Sequence, residues 1–189
     1  MQSTLTKKDI KRLADMGAER ILIACCTAST LHSELDKAER EMTVPIIRPA
    51  ARIAAEGKRV AVIATEHTVK SAAFSSEIKR FYPLCYVSER AEQELVRLVE
   101  DGNRDGGVSE KALVRLAGVA EWIKEIRADT LVLGCTHFSH LEGTLAKMLP
   151  EVKIVSPAKE GAREIARLSG GRRHRGKITY TDATALGDK

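Results

Sequence analysis

Two segments of the chain repeat one pattern, and each carries a cysteine at the same place in it. Residues 20–31 read Arg-Ile-Leu-Ile-Ala-Cys-Cys-Thr-Ala-Ser-Thr-Leu, and residues 130–141 read Thr-Leu-Val-Leu-Gly-Cys-Thr-His-Phe-Ser-His-Leu. Each is an apolar run, then a small residue, then a cysteine followed by hydroxyl-bearing residues, which is the pattern of a buried strand that stops at the cysteine and gives way to a helix. A chain that holds this unit twice is constrained to an α/β design with matched strand ends. The rest of the sequence keeps the same rhythm. Further strands are predicted at 44–47, 59–65, 84–88 and 153–156, and helices at 6–16, 30–42, 67–80, 90–101, 109–127, 139–148 and 159–168. Residues 101–107 form the strongest loop signal, and Pro49-Ala50 with Glu56-Gly57-Lys58 marks a crossing. The expected fold is two pseudo-symmetric α/β lobes with largely parallel sheets covered by helices.

Ligands of open α/β sheets gather beyond the carboxyl ends of the strands, and that is where Cys25 and Cys135 stand. A helix N-terminus at each position is expected to favour the thiolate. If the two units face each other, two thiols approach one cleft from opposite sides. One thiolate then removes a proton from one face of a carbon while the opposite thiol returns one to the other face, the geometry of racemisation. The polar groups of Cys26, Thr27, Ser29, Thr136 and Ser139 are placed to hold a carboxylate and the charge that develops on it. This chemistry demands no cofactor.

Other readings are weaker. Cys135, His137 and His140 fit no familiar zinc spacing, and no carboxylate is interleaved with them, so no metal is expected. The four cysteines show no Cys-x-x-Cys spacing. The net charge is +5, but its densest part, Arg172, Arg173, His174, Arg175 and Lys177, lacks interleaved aromatics and is read as a solvated loop rather than a nucleic-acid contact. No apolar run approaches the ~18 residues of a membrane span, and the first residues hold no apolar signal core, so a cytoplasmic location without membrane partners is expected.

The motifs resemble those of the cofactor-independent aspartate/glutamate racemases, most closely the glutamate-specific branch. Ala24-Cys25-Cys26-Thr27-Ala28-Ser29 is similar to the family's Ala-Cys-Asn-Thr-Ala-Ser, and Gly134-Cys135-Thr136-His137 to its Gly-Cys-Thr-His. Between them, Thr65-Glu66-His67-Thr68-Val69-Lys70-Ser71 is similar to Thr-x-x-Thr-x-x-Ser, and Leu98-Val99-Glu100-Asp101-Gly102 to Leu-Val-Glu-x-Gly. The resemblance implies that Cys25 and Cys135 are the two bases, that His137 assists the second thiol, and that Glu100 is a nearby carboxylate. It implies that Cys26, Thr27, Thr65, Thr68 and Thr136 contact a small amino-acid substrate.

The implied activity is interconversion of L- and D-glutamate for peptidoglycan synthesis. Racemisation of aspartate or a related amino acid, and an inactive racemase-like binding module, are the alternatives. A homo-oligomer is compatible with either. The implied division places residues 1–50, completed by 151–189, in the first lobe and 51–150 in the second. Cys26 stands where the family has Asn and cannot supply an amide's donors and acceptor. The family's Asp-Ser-Gly and Pro-Tyr-Gly segments have no counterpart, so the first lobe is expected to be incomplete at its N-terminal side and the chain to be a truncated product or a fragment.

Overall fold

A computed structural model describes residues 2–102 and 108–170. The basic stretch 172–177 and most of the 101–107 loop therefore lie outside the described residues. The chain runs α1 (Gln2–Asp15), β1 (Ile21–Ile23), α2 (Cys26–Ser29), a 3₁₀ turn (Thr30–Glu34), α3 (Lys37–Met42), β2 (Thr43–Pro45), α4 (Ile47–Ala54), β3 (Arg59–Ala64) and α5 (Glu66–Lys70). It continues with α6 (Ala73–Phe81), β4 (Tyr86–Ala91), α7 (Gln93–Gly102), α8 (Glu110–Glu125), β5 (Thr130–Gly134), a second 3₁₀ turn (Thr136–Leu141), α9 (Glu142–Met148), β6 (Lys153–Val155) and α10 (Pro157–Leu168).

Among the described residues all strand pairs are parallel, in a two-stranded sheet β1-β2 and a four-stranded sheet of order β4-β3-β5-β6. The central strands explain why. Val60 to Ala64 and Thr130 to Gly134 are buried throughout, as expected of strands covered on both faces. Alternation splits their side chains. Ala61, Ile63, Leu131 and Leu133 pack with Leu95, Leu116, Val119, Ile123 and Leu145 from α7, α8 and α9. Val60, Val62, Ala64 and Val132 pack with Ala50, Ala51, Ala54, Phe74 and Ile78 from α4 and α6. A smaller core of Ile10, Ile21, Ile23 and Leu35 seats α1 on β1. The segment after 150 supplies β6 to the four-stranded sheet before α10 packs back on α4 and β2. Gly161 permits that return, because a Cβ there would stand 2.8 Å from Ile46 Cγ1.

Four elements differ from the sequence expectation. Helix α4 occupies the segment read as a crossing between lobes. Pro49 sits in its first turn, where the missing N–H has no helical partner to lose. The helix expected over 67–80 is two helices, broken at Ala72 with φ 50°. The one expected over 30–42 is a 3₁₀ turn followed by α3, which restarts at Asp36 through a capping box with Glu39. Strand β4 runs past the expected 84–88 to Ala91. As an edge strand it tolerates Ser88, Glu89 and Arg90 at half-buried positions, although the expected strand stops at Ser88 and the expected helix starts at Arg90.

Candidate active site

The strand order creates the crevice. The chain leaves β3 for β4 on one side, whereas β5 lies on the other, so the ends of β3 and β5 flank a topological switch point where parallel sheets bind ligands. Thr65 follows β3 and Cys135 follows β5. Gly134 makes the approach possible, since a Cβ there would lie 2.9 Å from both Ala64 Cβ and the Ile63 carbonyl oxygen.

Cys25 and Cys135 are built alike. Each is the residue before a helical turn, with φ −126° and ψ 125° at Cys25 and φ −136° and ψ 136° at Cys135. Their carbonyls accept from Ser29 N–H at 2.9 Å and Phe138 N–H at 3.0 Å. Their environments differ, for Cys25 is exposed and Cys135 is buried. Burial pushes the Cys135 thiol above its ordinary pKa, and the backbone N–H groups of His137 and Phe138 only partly offset it. Negative charge on Cys25 and Glu100 raises it further. The expectation that a helix N-terminus would favour the thiolate is thus overturned at Cys135, where a short 3₁₀ turn supplies too little to outweigh desolvation. The effect of charge on Cys25 at Cys135 puts the exposed sulfur within electrostatic reach of the buried thiol.

His137 joins Cys135 to Glu100. Its Nδ1 lies 3.5 Å from Cys135 Sγ and its Nε2 lies 3.1 Å from Glu100 Oε1, a carboxylate carried by the C-terminal turn of α7. With the Nε2 proton directed at the carboxylate, Nδ1 is left to accept the thiol proton. On the other side, Thr27, Thr65 and Thr68 form a triangle of hydroxyls, with Oγ1 separations of 3.1 Å, 3.3 Å and 2.9 Å. This triangle hydrogen-bonds the segment after β1 to the segment after β3. Thr65 also caps α5, accepting from Thr68 N–H at 3.3 Å.

Of the remaining expected residues, Thr136 is half-buried directly after Cys135, while Cys26 is buried in the apolar core with Ile46, Ile47 and Ala50. Burial raises the Cys26 thiol well above its ordinary pKa, and charge on Cys135 and Cys25 adds to this. Its side chain fills the core beneath Cys25. His140 is exposed, and among the described residues no three His, Cys, Asp or Glu side chains converge as metal ligands. Thr30 and His67 were not singled out by sequence reasoning. Their signal is spacing alone, one turn beyond Thr27 and two residues beyond Thr65.

The exposure difference makes a direct prediction. Under native conditions a small maleimide should modify Cys25 and leave Cys26, Cys85 and Cys135, all buried, almost unlabelled. Peptide mass spectrometry checks this, and equal labelling of Cys135 would contradict the geometry.

Comparison with known proteins agrees with this architecture. The family described as Asp/Glu/Hydantoin racemase matches residues 3–165. A glutamate racemase of Gloeobacter violaceus is 39% identical over 153 residues, and that match covers 79% of this chain and 57% of the relative. One of Geobacter metallireducens is 37% identical over 177 residues, covering 89% and 60%. The chain therefore spans less than two thirds of these relatives' length. Among solved structures, a glutamate racemase isoform of Bacillus anthracis matches with TM-score 0.73 and 25% identity over 90% of this chain and 65% of that one. An aspartate racemase of Picrophilus torridus shares the fold, with TM-score 0.65 and 17% identity over 89% and 69%. The duplicated strand-end cysteines thus sit in a fold shared with both kinds of racemase, and the chain belongs to the Asp/Glu/Hydantoin racemase family.

Proposed function

We propose that the chain interconverts L- and D-glutamate through two thiols and no cofactor. The observation that carries this reading is the matched pair: exposed Cys25 and buried Cys135 on the same backbone geometry, within electrostatic reach of each other, with His137 and Glu100 behind the buried one. A thiolate takes the α-proton, and the electron pair of the broken C–H bond moves into the carboxylate. The opposite thiol then gives its proton to the other face of the carbon. No net oxidation occurs, and the two sulfurs have exchanged protonation states.

The threonine triangle supports the same reading. Three hydroxyls closed on one another keep their protons within the ring, and an entering carboxylate accepts those protons as the ring opens, so that charge developing on the carboxylate meets hydrogen-bond donors. The identity of the relatives favours glutamate over aspartate. A free amino acid in the cytoplasm is the fitting substrate and D-glutamate for peptidoglycan the fitting product.

The test is to incubate the chain with L-glutamate in deuterium oxide. Loss of optical activity together with deuterium at Cα is expected, unaffected by a chelator. Because the Cys135 thiol is raised, less of it is ionised at neutral pH. The direction in which Cys135 is the base should therefore accelerate as pH rises from neutral towards the alkaline range. Racemisation of aspartate alone would reassign the substrate. No exchange or inversion with either amino acid would overturn the proposal.

A further inference from the structure

We infer that His67 and Thr30 form a clasp at the rim of the cleft, holding the Cys25 segment against α5. This rests on the reading of the cleft as the racemisation site. The threonine triangle joins the two segments deep in the crevice, and a second polar contact lies nearer solvent. Thr30 Oγ1 donates to the Thr27 carbonyl at 2.8 Å and stands 3.4 Å from His67 Nε2. A hydroxyl has one proton. Since that of Thr30 is given to Thr27, Thr30 accepts at His67, and His67 carries its proton on Nε2. The clasp thus has a fixed direction, from the imidazole N–H through the Thr30 hydroxyl to the carbonyl of Thr27, whose own hydroxyl belongs to the triangle.

Both ends of the clasp lead to the reacting groups through short, rigid paths. Thr27 is two residues from Cys25, whose carbonyl accepts from Ser29 N–H in the single turn of α2. His67 sits within α5, which begins at the Thr65 cap. A helix of four residues has little stability of its own, so the position of Cys25 depends on what α2 and the following turn are tied to. His67 and Thr30 are accordingly positioning residues. They touch neither thiol, and their effect reaches Cys25 through the backbone of residues 25–30.

The test uses His67→Phe, which keeps a ring and removes the donor, and His67→Gln, whose side-chain amide restores an N–H near the place of Nε2. Thr30→Val removes the acceptor from the other end. Amide hydrogen exchange at residues 27–31 should quicken about three- to tenfold in His67→Phe, the scale of one partly exposed hydrogen bond, and at least as much in Thr30→Val, which also loses the bond to the Thr27 carbonyl. The double variant should exchange no faster than Thr30→Val alone, and His67→Gln should restore most of the protection lost in His67→Phe. Exchange at residues 60–64 serves as the control and should not change. In steady-state racemisation the same two single variants should lose kcat by a similar factor with KM little altered, since the substrate groups are intact while the placement of Cys25 is not.

The two readouts separate the two ideas. If the parent chain does not racemise but the exchange pattern appears, the clasp stands and the proposed function falls. Unchanged exchange in His67→Phe, additive effects in the double variant, or a His67→Gln as loose as His67→Phe would each overturn the clasp.

Discussion

Cys25→Ser and Cys135→Ser should each lower racemisation by at least about a thousandfold, while leaving the chain folded. A serine hydroxyl is too weak an acid to stand ionised as the base or to yield its proton on the time scale of turnover. The two variants should also differ from each other in a way that a simple loss of binding would not produce. With one thiol left, the surviving group can still remove and return the α-proton on its own face. Each variant should therefore wash deuterium into one enantiomer of glutamate and not into the other, with the preference reversed between them. Chiral separation followed by mass spectrometry gives the answer. Near-normal inversion by either variant, or the same enantiomer labelled by both, would end the two-base assignment.

Replacing Glu92 by Ala should cost about 3 kcal/mol of folding stability, the scale of breaking a buried ion pair. Glu92 follows β4 and is fully buried. Its Oε2 accepts from Arg115 Nε at 2.6 Å, and its Oε1 lies 2.7 Å from Arg90 Nε in an ion pair too bent to count as a hydrogen bond. Arg90 also lies over the Trp122 ring, 5.6 Å from its centre, and donates to the Gly118 carbonyl. One carboxylate thus fastens α8 to the edge of the sheet. Without it two guanidinium groups, each about one third exposed, lose their shared carboxylate, and among the described residues Glu94, 3.9 Å from Arg115, is the acidic partner that remains. Glu92→Gln keeps the volume and one acceptor and should lose about half as much. Urea unfolding is the measurement, and a midpoint that barely moves in Glu92→Ala would show that water solvates both arginines adequately.

The parts of the fold that were legible in the sequence are those governed by local pattern. Burial of β3 and β5 on both faces follows from uninterrupted apolar residues, and the twin cysteine segments read as strand ends because small and hydroxyl residues follow the apolar run. Pattern failed where tertiary context decided the outcome. Pro49 reads as a break, yet it falls in the one turn of a helix that accepts it. The strand reads as ending at Ser88 and a helix as starting at Arg90 until β4 is known to be an edge that runs on to Ala91.

The site divides in the same way. Cys25, Cys135 and His137 lie within their motifs, and His137 reaches Cys135 because it is two residues away. Glu100 is brought to His137 only by α7 packing beside the turn after β5, a contact no spacing in the chain encodes. Whether Cys26 faces ligand or core depends on α4, the helix that sequence reasoning did not foresee.

The pairing of β3 with β5 has a kinetic consequence. Val60 lies opposite Thr130 and Ala64 opposite Gly134, so the two innermost strands are separated in sequence by α5, α6, β4, α7 and α8. The apolar surfaces of α7, α8 and α9 have no complete floor until that loop closes. Contacts of such separation incur their loop-closure entropy before any burial compensates for it, which slows folding relative to helical bundles of equal size. During that delay the inner edge of β3 has no neighbour, and the run Val60 to Ala64 carries no charge with which to discourage pairing with another chain. Refolding yield should therefore fall as protein concentration rises, through the same apolar strand that in the finished molecule sets Thr65 beside the cleft.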